Sequence, residues 1–400
     1  MPEPGIVFAA FEPSGDALAA PVIEALRKSA PDVPIWALGG PRMQASGAEM
    51  IGRTTDHPVM LGGSLSQVAV HHRRLRMLRN WLSHRQVKAF IPVDSPAANW
   101  SICRLMRRTQ CQVKIIHLAA PQLWAWAAWR ISKMRRLSDH VLCLLPFEPA
   151  WFTERGLAAS FVGHPLFQGP GLSAQGNDTT NRLSGEDGPK LALLPGSRPS
   201  EIRANWPMMA RVFEQLRQQH PGLQGLVAAA NDSLTHQVKH AGDLPDRVAM
   251  RSDDTNAILA WADIVLVVSG TATLQAAVTG KPMVIVFNVQ RWAWQLAGRW
   301  IIQTRTFSLP NLIAQSMGLG RIVPELVPHF GQVEPVVREL DRLLCNHELR
   351  RSQQRDLVRI SQPFETCHFA SRSCNLILQL TGYSHGRGQA LLSTPADHKK

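Results

Sequence analysis

Two short turns in the second half of the chain carry residue types suited to holding an anion. Pro195-Gly196-Ser197-Arg198 ends the apolar run "KLALL" and leads into a stretch with helical spacing. Ser269-Gly270-Thr271 follows "DIVLVV" and opens "TATLQAA". At such a helix start, free N–H groups and the Thr271 and Thr273 hydroxyls can face an anion, and Gly270 lets a phosphate oxygen reach the backbone. Arg198 can add a bidentate guanidinium. Either turn alone reads more simply as a helix cap with glycine for backbone freedom. Two in one domain, both ending buried strands and one bearing arginine, favour a nucleotide diphosphate. The sequence has no G-x-G-x-x-G, no P-loop and no D-x-D. That disfavours a dinucleotide dehydrogenase, a P-loop nucleotidase or a metal-bridged diphosphate.

Asp94 is a third candidate, for the opposite reason. Residues 57–138 carry fourteen Lys and Arg against this one acid. At the end of the strand-like "AFIPVD", its carboxylate could take a proton from an attacking hydroxyl. It could equally cap the helix expected over "PAANWSICRLMRR". Asp16, in "FEPSGD", is better suited to capping or ordering a loop. His164, between Gly163 and Pro165, suits a turn, and His117 in an apolar strand suits a satisfied core histidine.

The chain's charge of +13, from 43 basic and 30 acidic residues, is concentrated in that same stretch. Such a field attracts nucleic acid or acidic lipid. Within it, "VAVHHRRLRMLRNWLSHRQVK" places Val70, Leu75, Leu78, Trp81 and Leu82 near one helical face. Packing by that stripe accounts for the apolar side. Arg73, Arg74 and Arg76, with Trp81 at the interface, are the candidate contacts for anionic headgroups. No nucleic-acid-binding motif accompanies them, so nucleic acid is not an expected partner. The six cysteines form no C-x-x-C pair, which reads as reduced core or helix-face thiols with zinc disfavoured. No apolar run reaches about 18 residues, and the first residues lack the basic region of a secretory leader.

These residues need a scaffold that presents strand ends. "GIVFAA", "PIWALGG", "AFIPVD", "KIIHLAA", "HVLCLLP" and "SFVGHP" are short apolar runs separated by helical patterns. They lack period-two alternation, as strands covered on both faces do. Residues 167–189 are rich in Gly, Asn, Ser and Asp and read as a linker. The alternation then restarts with "KLALLPG", "LQGLVAAA", "RVAMRS", "DIVLVVSG" and "PMVIVFN". The expected fold class is α/β, with two Rossmann-like doubly wound domains facing a cleft. They span 1–166 and 190–333, with C-terminal helices over 334–382 and a disordered tail over 383–400.

At this point the chain resembles the lipid-A-disaccharide synthases. The matching stretches, in order, are "EPSGDALAA", "GGPRMQASG", "VDSPAANW", "PQLWAW", "LPFEPAWF", "FVGHPL", "LLPGSRPSEI", "VSGTATLQA", "KPMVIVF", "SLPNLIA" and "VPEL". The resemblance implies a GT-B glycosyltransferase with inverting chemistry and neither metal nor cofactor. UDP-2,3-diacylglucosamine and 2,3-diacylglucosamine 1-phosphate would be joined with release of UDP. It implies a peripheral protein on the cytoplasmic face of the inner membrane and leaves self-association open. It makes Asp94 the general base and Arg198 the second catalytic residue. It assigns substrate or UDP contacts to Ser14, Gly15, Asp16, Gly196, Ser197, Glu201, Ser269, Gly270, Thr271, Ala272, Thr273, Gln275 and Asn311. Departures from the pattern are Phe11 for glycine, Ala97 for aspartate, Ala120 for serine, Ala127 for arginine and Gln275 for glutamate. They keep two alternatives open: another UDP-sugar, or a weakened family member that binds membrane.

Overall fold

The computed structural model describes residues 3–55, 65–94, 96–110, 112–119, 121–167, 188–229, 232–252, 255–289 and 306–383. Within these, 65–71, 96–97, 126 and 232–233 are described by backbone alone. Most of the expected linker (168–187) and nearly all of the expected tail (384–400) lie outside the described residues. The chain divides into two compact units: Met1–Pro121, Trp129–Pro165 and Cys367–Lys400 form one, and Gln122–Ala128 with Leu166–Thr366 form the other.

The first unit is built on seven parallel strands: β1 (Gly5–Ala9), β2 (Ile35–Gly39), β3 (Glu49–Arg53), β4 (Val87–Pro92), β5 (Lys114–Leu118), β6 (His140–Cys143) and β7 (Ala159–Phe161). Their order is β3-β2-β1-β4-β5-β6-β7. Alternate residues of β1 enter different cores. Ile6 and Phe8 pack with α1 (Pro13–Ser29), while Val7 and Ala9 pack with α3 (Leu65–Leu82) and α4 (Pro96–Thr109). This double burial is why the strand reads as continuously apolar. The remaining helices of this unit include α2 (Pro41–Ala45), α6 (Ile131–Leu137) and α7 (Glu148–Thr153), while α5 (Leu123–Trp126) falls in the other unit.

The second unit repeats the plan with β8 (Lys190–Leu194), β9 (Gln224–Ala229), β10 (Val248–Ser252), β11 (Ile264–Val268), β12 (Met283–Asn288) and β13 (Glu325–His329). Their order is β10-β9-β8-β11-β12-β13. Helices α8 (Pro199–Gln219), α9 (Asp232–Ala241), α10 (Thr255–Trp261), α11 (Thr271–Val278) and α12 (Leu309–Ser316) alternate with the strands. In both units the winding direction reverses between the first and fourth strands, where open α/β sheets bind ligands.

Three features add to or correct the reading of the sequence. Strands β3 and β13 carry no apolar run, and each is a sheet edge with intermediate burial along much of its length. The C-terminal segment is helical as expected, and its helices divide between the units: α13 (Glu334–Cys345) and α14 (His347–Glu365) belong to the second, and α15 (Phe369–Thr381) to the first. Phe369, Cys374, Ile377 and Leu378 of α15 are almost fully buried in the core beside α1. At about 1.5–3 kcal/mol per large apolar side chain, α15 is a substantial part of that core. Finally, His117 is fully buried but not satisfied: neither ring nitrogen has a hydrogen-bond partner among the described residues. Burial pushes its pKa down to about 4.

Candidate functional site

The two anion-type turns leave adjacent strands. Val267 of β11 is the register partner of Leu194 of β8, so the chain exits toward Gly196 and Gly270 side by side at the switch point. Helix α11 starts at Thr271, as its sequence predicts. Thr273 is buried and donates its hydroxyl to the Gly270 carbonyl at 2.7 Å, which closes the first turn. Thr271 remains exposed, and a Cβ built at Gly270 would meet nothing within 4 Å. The backbone there is open to an approaching group. Ser269 and Ala272 flank this turn, half-buried, and Gln275 is half-buried with no side-chain hydrogen bond among the described residues.

The Gly196 turn is braced from within. Glu201 accepts the N–H of Ser197 at 2.9 Å and of Arg198 at 3.3 Å, and its other oxygen takes the Arg198 guanidinium at 2.9 Å. This carboxylate supplies the reaching-back half of a capping box. Gly196 has φ +123°, and a Cβ there would stand 2.6 Å from the Glu201 Cβ. Glycine is required by conformation and by space. Arg198 stays largely exposed, held at the mouth of the turn. Glu201, expected as a substrate contact, is instead the residue that positions Ser197 and Arg198.

In the first unit the equivalent switch point lies between β1 and β4, whose paired ends lead to the Phe11–Gly15 loop and to Asp94. Gly15 is packed so closely that a Cβ would lie 3.1 Å from the Ala10 Cβ and 3.7 Å from the Val93 carbonyl. Ser14 lies beside it in the first turn of α1. Asp94 is half-buried at φ +48°, its N–H donating to Leu118 at 3.0 Å and its carbonyl accepting from Asn99 at 3.4 Å. Ala119, at the end of neighbouring β5, also adopts positive φ (+63°). Two left-handed non-glycine residues at adjacent strand ends mark a locally strained edge, the kind of backbone that clusters at functional sites.

Two expected contact residues prove to be scaffold. Asp16 is 2% exposed and accepts the N–H groups of Gly40, Arg42 and Met43 at 2.9–3.1 Å, capping α2 from a different helix. The "GGPRM" turn therefore has its donors already taken. Asn311 is fully buried with its amide committed: it donates to Val323 and Glu325 and accepts from Ile322 and Val323, all at 2.9–3.0 Å. Glu325 also accepts from the Phe307 N–H and the Ser308 hydroxyl. This carboxylate, which organises the "SLPN" turn, was legible only as an acid inside the apolar "VPELV". A second network was missed altogether: Asn288 links the Ala204 carbonyl in α8 to His329 and Gly331 at the end of β13.

Of the basic segment, Arg73 and Arg76 are exposed and Arg74 is half-buried beside an apolar pocket lined by Phe11, Leu38, Leu78 and Ile102. Trp81 departs from its expected place at an interface. Its ring packs edge-on against Trp36 at 5.0 Å, with Arg85 over both rings. Among the described residues, the exposed tryptophan is Trp129, 71% accessible, with the Arg130 guanidinium 5.0 Å above it. Nearby, Lys133 lies 4.1 Å over the Trp100 ring. Desolvation, with the charges of Arg104, Arg130 and Arg136 behind it, holds that amine below its usual pKa. Among the described residues, no helix is long and apolar enough to cross a membrane.

The comparisons with known proteins agree with one another. A profile of the family described as lipid-A-disaccharide synthetase matches residues 6–374. The lipid-A-disaccharide synthase of Solibacter usitatus is 32% identical over 367 residues, covering 90% of this chain and 92% of its own. That of Azotobacter vinelandii is 33% identical, covering 88% and 95%. Among solved structures, an S. aureus MnaA–UDP complex aligns with TM-score 0.64 at 10% identity over 99% of this chain and 100% of its own. The calicheamicin glycosyltransferase CalG4 aligns with TM-score 0.58 at 15% identity, over 96% and 99%. These structures share the two-sheet GT-B architecture, and the sequence relatives carry the assignment further: the chain belongs to the lipid-A-disaccharide synthase family of glycosyltransferases.

Proposed function

We propose that this protein joins UDP-2,3-diacylglucosamine to 2,3-diacylglucosamine 1-phosphate with inversion at the anomeric carbon. The observation that carries the reading is the pairing of the Gly196 and Gly270 turns on hydrogen-bonded strands, in a chain of this family. UDP would sit with its diphosphate against the start of α11 and the Arg198 guanidinium, where a helix N-terminus and a cation favour negative charge. The acceptor's 6-hydroxyl oxygen forms the new bond to C1 as the bond from C1 to the β-phosphate oxygen breaks. Its proton passes to the Asp94 carboxylate, and the electron pair leaves with UDP. Arg198 and the α11 N–H groups stabilise the charge that develops on that leaving phosphate.

The acylated substrates lie in a bilayer, and the exposed Arg73 and Arg76, together with Arg130 over the Trp129 ring, support seating on anionic lipid. Incubation of the purified protein with both acylated substrates, followed by mass analysis of the lipid, tests the reaction. A β-1,6-linked disaccharide with one UDP released per linkage is expected. Free UDP without disaccharide, or turnover only with non-acylated sugars, would overturn it.

A further inference from the structure

A group of metal-ligating side chains stands apart from the Arg198 turn. His220 is the C-cap residue of α8, the helix that begins at the Arg198 turn. Twenty-one helical residues separate the two ends by about 30 Å. Asp341 and Cys345 are one turn apart on α13 and so share a face. The His220 Nε2 is 2.8 Å from the Asp341 Oδ1, and the Cys345 Sγ is 3.5 Å from the same oxygen. All three donor atoms fall within 4.8 Å of one another.

Tetrahedral zinc, with bonds of about 2.0 Å to N and O and 2.3 Å to S, sets its donors about 3.3–3.5 Å apart. The present spacings straddle that range, so capture of the ion asks for small side-chain shifts only. Val336, Val337, Leu340 and Leu343 anchor α13 in the core and hold the ligand face still. Imidazole, carboxylate and thiolate together suit zinc, whereas magnesium and calcium take oxygen donors. One carboxylate and one thiolate also neutralise a dication.

We propose that His220, Asp341 and Cys345 bind one zinc ion, with water as fourth ligand, and so clip the end of α8 to α13. Binding converts the Cys345 thiol to a zinc-bound thiolate and releases its proton to solvent. Because the thiol must lose its proton to bind, affinity climbs with pH. No cysteine spacing announces such a site, because the histidine lies 121 residues from Asp341.

The test uses full-length protein stripped by chelation and titrated with zinc against a chromophoric chelator. One equivalent should bind, and the melting temperature should rise with added zinc. Cys345→Ser and His220→Gln should each weaken binding by more than the roughly 10–100-fold that losing a supporting partner costs. Cobalt loaded in place of zinc should show a thiolate charge-transfer band in the wild type and none in Cys345→Ser. The proposal fails if the protein takes up no equivalent at micromolar zinc, or if the bound equivalent survives both substitutions. In that event His220 and Asp341 form an ordinary ion pair.

Discussion

Asp94→Asn separates proton transfer from architecture because of how Asp94 sits. Its φ of +48° would cost most L-residues about 1–2 kcal/mol, but Asn and Asp enter that region more easily than others. The asparagine protein therefore keeps the backbone bonds to Leu118 and Asn99 and loses the proton acceptor. A positioned general base contributes about 10²–10⁴ in rate, equivalent to about 2.7–5.4 kcal/mol of activation energy. Turnover with the acylated substrates should fall by that factor. UDP affinity by calorimetry should stay within about twofold, since the Arg198 and Gly270 turns belong to a different sheet. Asp94→Ala should lose the same turnover and, in addition, unfold at lower urea by the left-handed penalty. Turnover near wild type in Asp94→Asn, with a large loss confined to Asp94→Ala, would refute the base and leave a conformational role.

Other expectations follow from the same geometry. Gly196→Ala drives a Cβ into Glu201 at positive φ, so stability in urea should fall on the order of 1–3 kcal/mol and the UDP dissociation constant should rise about tenfold or more. Gln275→Glu should tighten UDP binding in calorimetry if a ribose-holding carboxylate has been lost, and unchanged or weaker binding would show a pocket adapted to the amide. Burial lowers His117 to about 4, so the unfolded chain binds more protons between about pH 6.5 and 4. Stability should therefore drop as pH falls through that window, by up to roughly 1.4 kcal/mol per unit. His117→Leu should flatten that slope in urea melts and cost nothing at pH 7, because it removes two orphan polar atoms. Reversing Arg73, Arg74 and Arg76 to Glu should release the protein from acidic vesicles in flotation, and unchanged flotation would assign membrane contact to the surface around Trp129 instead.

What could be read from sequence depended on burial. The central strands announce themselves because both faces are covered, as in β11, where every residue is buried. The edge strands β3 and β13 do not, since a strand with one neighbour can afford Glu49, Arg53 or Pro328. The helix start at Thr271 and the unusual acid at Asp94 were visible as residue types in context. The occupation of Asp16 and Asn311 was not, because their partners lie 24–27 and 11–14 residues away and arrive only with the tertiary fold. A motif thus marks a position that matters without saying whether it meets substrate or holds the residue that does. Trp81 illustrates the same limit: amphipathic spacing placed it on the apolar face, and only the position of Trp36 decided what that face covers.

The placement of α15 has a consequence for the order in which the protein can fold during synthesis. Phe369, Ile377 and Leu378 fill the core against α1, yet about 200 residues of the second unit are made in between. At roughly 5–20 residues per second, the ribosome spends about 10–40 s on that interval. Throughout it, the first unit's sheet is complete while one side of α1 lacks its partner and exposes apolar surface. The second unit, being continuous from Leu166 to Thr366 apart from the short Gln122–Ala128 piece, has no such wait and can close first. A nascent chain halted before Phe369 should accordingly bind a chaperone through α1, and lengthening it past Thr381 should release it.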